Sequence, residues 1–265
     1  NVGLCHSVQG TTRQLAGYID VPYEEVRYWV AGINHQAWVL EFCHKGQDAY
    51  PRLRQAMDDP DVFAKDRVRF EMMRHFDYFV TESSHHNSEY LPYFRRTQDV
   101  RDRFGLTSRE VRMEPPKKRA WLADTGADGE PPVGELTRSH EFTTGIMEAV
   151  VTNTPYLFNG NVMNDDLITN LPPGCCVEVP CVADGRGVHP CRVGNLPAQL
   201  AAINRSNVAV QELAVEAFFR RSRQAAFQAV ALDPLTAGVL PLHRIREMFD
   251  EMWEAEKDLL TYFGQ

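Results

Sequence analysis

The residues best suited to chemistry stand close to the start of the chain. They are Cys5, in Cys5-His6-Ser7-Val8-Gln9-Gly10, and His35, in Gly32-Ile33-Asn34-His35-Gln36-Ala37-Trp38. A thiolate and a neutral imidazole are good ligands for borderline divalent transition metals, and two protein ligands leave the other positions open to substrate oxygens and water. Spacing alone carries little weight, because a lone cysteine commonly packs as a small hydrophobe. Asn34, Gln9 and Asn153 carry amides that can both donate to and accept from hydroxyl groups, although Asn153 is equally suited to turn chemistry and capping. Cys175, Cys176, Cys181 and Cys191 match no zinc spacing, so free thiols are expected there. No G-x-G-x-x-G follows a strand and there is no P-loop. Gly185-Arg186-Gly187 runs into Val188-His189-Pro190, which cannot open a helix cleanly.

The elements that must position these groups show in the apolar pattern. Val26, Tyr28 and Val30 alternate with Arg27 and Trp29, and after the Gly32 to His35 break the run Ala37 to Phe42 is again strand-like, so a hairpin is expected. His44 to Asp48 reads as a turn. Val62, Val68, Met72, Met73, Phe76 and Phe79 recur at roughly helical spacing and predict one long amphipathic helix from Asp61 to Val80. Ser88 is placed to cap a helix through Asp102 that Gly105 ends. Asp124 to Gly134 reads as a surface loop, Ser139 as the cap of a helix reaching about Val151, and Asn153 to Pro180 as strand and loop, with Val177 and Val179 alternating against Glu178. Asp184-Gly185-Arg186-Gly187 is a turn signal. Pro197 opens a helix-rich tail that ends near Phe263. Strands, helices, strands, then helices favour a mixed α+β domain over alternating βαβ units.

Composition narrows the function. Lys and Arg number 28 against 36 Asp and Glu, a formal charge of -8, so no broad basic field is available for a phosphate backbone and nucleic acid is not an expected partner. No apolar run reaches the roughly 18 to 20 residues that span a bilayer, so no membrane partner is expected. Six cysteines without C-x-x-C spacing suit reduced thiols in a cytoplasm. The chain begins at Asn1 and meets its candidate site motif within five residues, which leads us to expect a piece of a longer protein.

The two motifs together resemble, residue by residue, the paired metal motifs of glycoside hydrolase family 4. Thr81-Glu82-Ser83-Ser84, Ser88 to Phe94, Asn170-Leu171-Pro172, Val177-Glu178-Val179-Pro180 and Gly194-Asn195-Leu196-Pro197 resemble segments of that family in the expected order. The resemblance covers nearly the whole chain. It implies a carboxy-terminal metal- and substrate-binding domain over residues 1–265, of the lactate dehydrogenase-like mixed α+β kind, without the Rossmann half that binds NAD. It also implies the family's redox route for glycoside cleavage: oxidation at C3, loss of the C2 proton with elimination of the glycosidic oxygen, addition of water at C1, and reduction. The family is an exception to the two-carboxylate scheme.

On this resemblance Cys5 and His35 are the ligands of a divalent metal, Mn2+ in most members, and NAD is the second cofactor. Thiolate softness would not by itself select manganese. Tyr90 matches the position of the family's base, and His85 and His86 are alternatives. A phenol ordinarily ionises near pH 10 and needs a neighbouring cation or metal to serve at neutral pH. His6 stands where phospho-sugar members carry Asp and is the candidate acid on the leaving oxygen. Cys-His-Ser-Val is similar to the signature of the α-galactosidase members, so an α-galactoside is the implied substrate, with Asn34 and Asn153 as candidate contacts to its hydroxyls. The alternatives are an α-glucoside or α-glucuronide, or a non-catalytic module that lost its cofactor domain. A homodimer or homotetramer is implied, and the isolated chain is expected to be inactive.

Overall fold

The computed structural model describes residues 3–4, 7–106 and 141–264. Asp124 to Gly134 and Ser139 lie outside these residues, as do Cys5 and His6. The expected hairpin is present. β1 (Val26–Ile33) and β2 (Gln36–His44) pair antiparallel, with Gly32 opposite Ala37 and Ile33 opposite Gln36. The turn after β2 folds back as β3 (Gln47–Asp48), and β4 (Phe79–Val80) pairs with β2 on the same side. β5 (Tyr156–Met163), β6 (Cys176–Asp184) and β7 (Gly187–Pro190) form the second half, joined to the first where Glu178 of β6 pairs with Gly32 of β1. The sheet runs β3-β2-β1-β6-β5, and these strand pairings are all antiparallel. With its flanking helices it is the mixed α+β fold expected.

Helices cover both faces. Val177 and Val179 point one way, into a core with Ala31, Ile33, Ala149 of the helix Phe142–Thr152, and Ala201 and Val208 of the helix Ala198–Arg220. Ala37, Val30 and Val39 point the other way, packing with Val8 and Leu15 of the first helix, Ser7–Tyr18, and with Leu53 and Phe70. Alternation along a strand puts Glu178 on this second face, opposite to Val177 and Val179. The apolar–polar alternation of β6 predicts a half-exposed strand, yet Glu178 is 0% exposed because the sheet is covered on both sides here.

The single long helix expected over Asp61 to Val80 is broken in two, Pro60–Lys65 and Arg67–Phe76, and Phe79–Val80 is a strand. Asp66 is the break. Its carboxylate is buried and accepts from Arg69 Nε at 2.8 Å, Tyr18 Oη at 3.0 Å and the Ser84 hydroxyl, geometry that its φ of -152° allows and a helical residue would not. Arg69 also donates to Thr11 Oγ1 at 2.9 Å. This buried pair therefore ties the first helix to the loop after β4. Ser88 does not open a helix through Asp102; it is the C-cap of the short helix before it. Its hydroxyl donates to the His85 carbonyl at 2.5 Å, and that short helix, Ser84–Asn87, is capped at its N-terminus by Ser83. A separate helix, Gln98–Phe104, ends at Gly105 (φ 67°) as expected. Pro197 precedes the 23-residue helix Ala198–Arg220, and among the described residues no helix is long and apolar enough to cross a membrane.

Candidate active site

His35 occupies the β1–β2 turn at φ 63°, half-buried, with the side chain of Asn34 exposed beside it. The turn is this tight because residue 32 is glycine: a Cβ there would stand 2.7 Å from both Ala37 Cα and Gln36 O. From β2 onward the chain returns through β4 to Thr81, whose N–H donates to Ala37 O at 2.8 Å, while Ala37 N–H donates to Thr81 Oγ1 at 3.1 Å. That clasp brings the Ser83 to Tyr90 segment against the turn.

The histidine from the sequence motif thereby meets a second one. Glu89 Oε2 accepts from His86 Nδ1 at 3.0 Å, and His86 Nε2 lies 2.8 Å from His35 Nδ1. A carboxylate only accepts, so His86 carries its proton on Nδ1 and accepts through Nε2 from His35 Nδ1–H. In that tautomer the lone pair of His35 sits on Nε2, the arrangement by which an outer acceptor, itself held by a carboxylate, orients a metal-binding imidazole. Arg95 fixes the carboxylate end. Its Nη2 reaches Glu89 Oε1 at 3.4 Å and His85 Nδ1 at 2.8 Å, and its Nε donates to Ser88 Oγ at 2.8 Å. The ring of Tyr90 stands edge-on to both imidazoles, 5.3 Å from His86 and 6.4 Å from His35 between centroids.

A buried amide network braces the hairpin and the tyrosine from behind. Asn204 Nδ2 donates to Gln36 O at 2.8 Å and its Oδ1 accepts from Trp38 Nε1 at 3.1 Å. Asn207 Nδ2 donates to Gln36 Oε1 at 2.9 Å and to Tyr90 O at 3.2 Å. Trp38 is thus a fully buried core residue.

Of the sequence candidates, the structure brings His35, Asn34 and Tyr90 to one place. Asn153 stands elsewhere: it ends the helix Phe142–Thr152 at φ 57°, and its Oδ1 accepts from Gly185 N–H at 3.0 Å, at the far end of β6 from Glu178. It works there as a cap and turn residue, the competing role open to it in the sequence. Cys5 and His6 lie outside the described residues, and among the described residues no three His, Cys, Asp or Glu side chains group to hold a metal. Cys43, Cys175, Cys176, Cys181 and Cys191 are free, and burial pushes the Cys175 and Cys181 thiols up to about 11, so these two are inert.

Residue spacing does not reveal the polar groups that the fold leaves unpaired among the described residues. Gln36 Nε2, both polar atoms of the Asn87 amide, Asn161 Oδ1 and both oxygens of Glu178 are buried with no partner among the described residues. Burial, and secondarily the Glu82 carboxylate, push the Glu178 carboxyl up to about 8. Its signal was present as a charged residue inside the apolar run Val177 to Val182. Native interiors pair nearly all such groups, so orphans gathered around one turn mark a place where a polar ligand belongs. Divalent metal chemistry fits the donors present: an oriented imidazole at His35, with unpaired oxygens on the adjoining strands.

The sequence profile of the family 4 glycosyl hydrolase C-terminal domain matches residues 30–236. An α-galactosidase of Bacillus subtilis (strain 168) is 40% identical over 268 residues, covering 99% of this chain and 62% of that protein. An α-galactosidase of Rhizobium meliloti (strain 1021) is 31% identical over 281 residues, covering 99% of this chain and 56% of its own length. The chain therefore spans less than two thirds of these relatives. Among solved structures, a 6-phospho-α-glucosidase from gut microorganisms, in complex with NAD and Mn2+, matches with a TM-score of 0.70 at 22% identity, over 97% of this chain and 61% of that one. The Thermotoga maritima 6-phospho-β-glucosidase with NAD and glucose-6-phosphate matches with a TM-score of 0.68 at 20% identity, over 97% and 60%. At these identities the structures speak for the fold, and together with the profile and the two galactosidases they lead to one statement: the chain belongs to glycosyl hydrolase family 4 and carries that family's C-terminal domain.

Proposed function

We propose that this chain is the metal- and sugar-binding part of an NAD- and manganese-dependent α-galactosidase. The observation that carries the reading is the Glu89–His86–His35 line with Tyr90 against it, in a chain 40% identical to an α-galactosidase. When bound, NAD supplies a hydride acceptor for C3 of the sugar and the divalent metal a Lewis acid for its C2 and C3 oxygens.

The chain's own residues do the rest. His35, through Nε2, and the Cys5 thiolate would hold the metal. Tyr90, beside the two imidazoles, takes the C2 proton that the C3 ketone has made acidic, and His6 gives a proton to the leaving glycosidic oxygen. The Asn34 amide, exposed at the lip of the turn, is available to sugar hydroxyls. The amide network behind Gln36 and Tyr90 keeps base and ligand at a set separation, which matters because small misplacements of reacting groups are costly to rate. The NAD-binding half would complete the cleft, so the isolated chain is expected to be inactive.

The test is turnover by the full-length protein of an aryl α-galactoside with NAD, Mn2+ and thiol reductant, alongside the α-glucoside and α-glucuronide. Hydrolysis of the galactoside, with deuterium entering at C2 from heavy water, is the expected result. Absence of galactoside turnover would sink the substrate assignment, and a Tyr90→Phe variant that exchanges C2 deuterium at the wild-type rate would remove Tyr90 as the base.

A further inference from the structure

A single row of residues crosses the sheet beside the site. Exposed Gly3 exchanges two hydrogen bonds with Asn161 of β5, at 2.9 and 2.8 Å. Asn161 pairs with Glu178 of β6, Glu178 with Gly32 of β1, Gly32 with Ala37 of β2, and Ala37 is clasped to Thr81. One end of the row lies two residues before Cys5, and the other opens the segment that carries His86 and Tyr90. Glu178 stands in the middle.

Three acceptor oxygens in this row have no donor among the described residues: Glu178 Oε1 and Oε2 and Asn161 Oδ1. The charged neighbour that bears most on Glu178 is the Glu82 carboxylate, which repels it. A carboxyl buried in this way burdens the fold, and a leucine of similar size would pack more cheaply. A charge-capable side chain kept at such a position, beside an amide oxygen equally unpaired, is best explained by donors that arrive from outside the chain.

We propose that Glu178, with Asn161 beside it, is a further binding residue of the site, accepting hydrogen bonds from O–H groups brought in with the ligand. Such donors come from two sources, water on the bound divalent cation or hydroxyls of the sugar. Either requires a local opening, since the carboxyl is fully covered in this structure. Oxygen acceptors around the cation would also favour Mn2+ beyond what a thiolate and imidazole select. The inference rests on the proposed function for the identity of both the sugar and the cation, and on the geometry for the unpaired acceptors.

The experiment uses the full-length protein and its Glu178→Gln and Glu178→Leu variants. One arm titrates Mn2+ alone, followed by electron paramagnetic resonance of the free ion. The other measures the rise in Tm caused by galactose with Mn2+ and NAD saturating. We expect Glu178→Leu to fold with a Tm no lower than wild type and to lose about tenfold or more in affinity in at least one arm, an effect in the usual range for groups behind a metal's ligands. Weakened Mn2+ binding assigns the cation's water, and a weakened galactose shift with Mn2+ binding intact assigns the sugar. Wild-type binding by Glu178→Leu in both arms overturns the proposal. If that variant fails to fold, Glu178→Gln decides by the same two readings. Failure of the galactosidase reading shows separately, as a wild-type protein that binds Mn2+ but neither responds to galactose nor hydrolyses the galactoside, and the Mn2+ arm still judges Glu178. A wild-type protein that binds neither ligand overturns both.

Discussion

His35 and His86 meet nitrogen to nitrogen at 2.8 Å, and the far nitrogen of His86 is held by Glu89 at 3.0 Å. The pair joins two segments 51 residues apart and gives the metal-motif histidine one tautomer. Removing the outer members should therefore cost metal affinity without removing a ligand. His86→Ala and Glu89→Gln are expected to weaken Mn2+ binding by the full-length protein about 10- to 100-fold. His35→Ala should abolish it. A His86→Ala variant that binds Mn2+ as tightly as wild type would dissolve the relay.

The buried pair of Asp66 and Arg69 fastens the first helix to Ser84, two residues before His86. Arg69→Ala would leave the Asp66 carboxylate buried and short of its main partner. A loss of about 3 to 5 kcal/mol is expected, as for other broken buried pairs. Urea unfolding followed by tryptophan fluorescence measures it, and a change below about 1 kcal/mol would mean that water reaches Asp66.

Gly32→Ala tests the tightness of the turn. The added Cβ would stand 2.7 Å from Ala37 Cα and Gln36 O, both backbone atoms that cannot rotate away. Overpacking of this kind costs about 1 to 3 kcal/mol, and the hairpin must shift to relieve it. The variant should lose stability and, because His35 rides on the hairpin, Mn2+ affinity as well. Unchanged Tm and affinity would show that the strands part more easily than the register suggests.

Glu178 makes a prediction about pH. Its carboxyl ionises at about 8 in the fold against an ordinary value of 4.5. Between these values the unfolded chain has released the proton while the folded chain keeps it. Stability from this group is thus fully present below about pH 4.5 and is lost as pH rises toward 8, with a slope of up to about 1.4 kcal/mol per pH unit. Glu178→Gln should flatten that part of the profile. Subtracting the two stability curves, measured without metal or sugar, isolates the contribution, and parallel curves from pH 5 to 8 would show that the carboxyl is ionised throughout.

Much of the architecture is legible along the chain, because strands and helices write their burial as periods of two and 3.6. The β1–β2 hairpin, the turn at Asp184 to Gly187, the stop at Gly105 and the long helical tail all follow from local pattern. The local rules fail at Asp66, where a side chain gives up a helix to pair with Arg69, Tyr18 and Ser84. They fail again at Glu178, where alternation predicts a half-exposed strand and the second layer of helix makes it interior.

The site divides in the same way. Residue type and motif determined the family and the candidate roles of Cys5, His35, His6 and Tyr90, since these depend on what a side chain can do chemically. Only the tertiary structure decided that His86 and Glu89 stand behind His35, that Asn153 is spent on a cap at the far end of β6, and that Glu178 has no hydrogen-bond partner among the described residues. Each of those outcomes depends on which segments the fold brings side by side, 51 residues apart for His35 and His86 and 32 for Asn153 and Gly185, and such a pairing leaves no periodic trace in either segment alone.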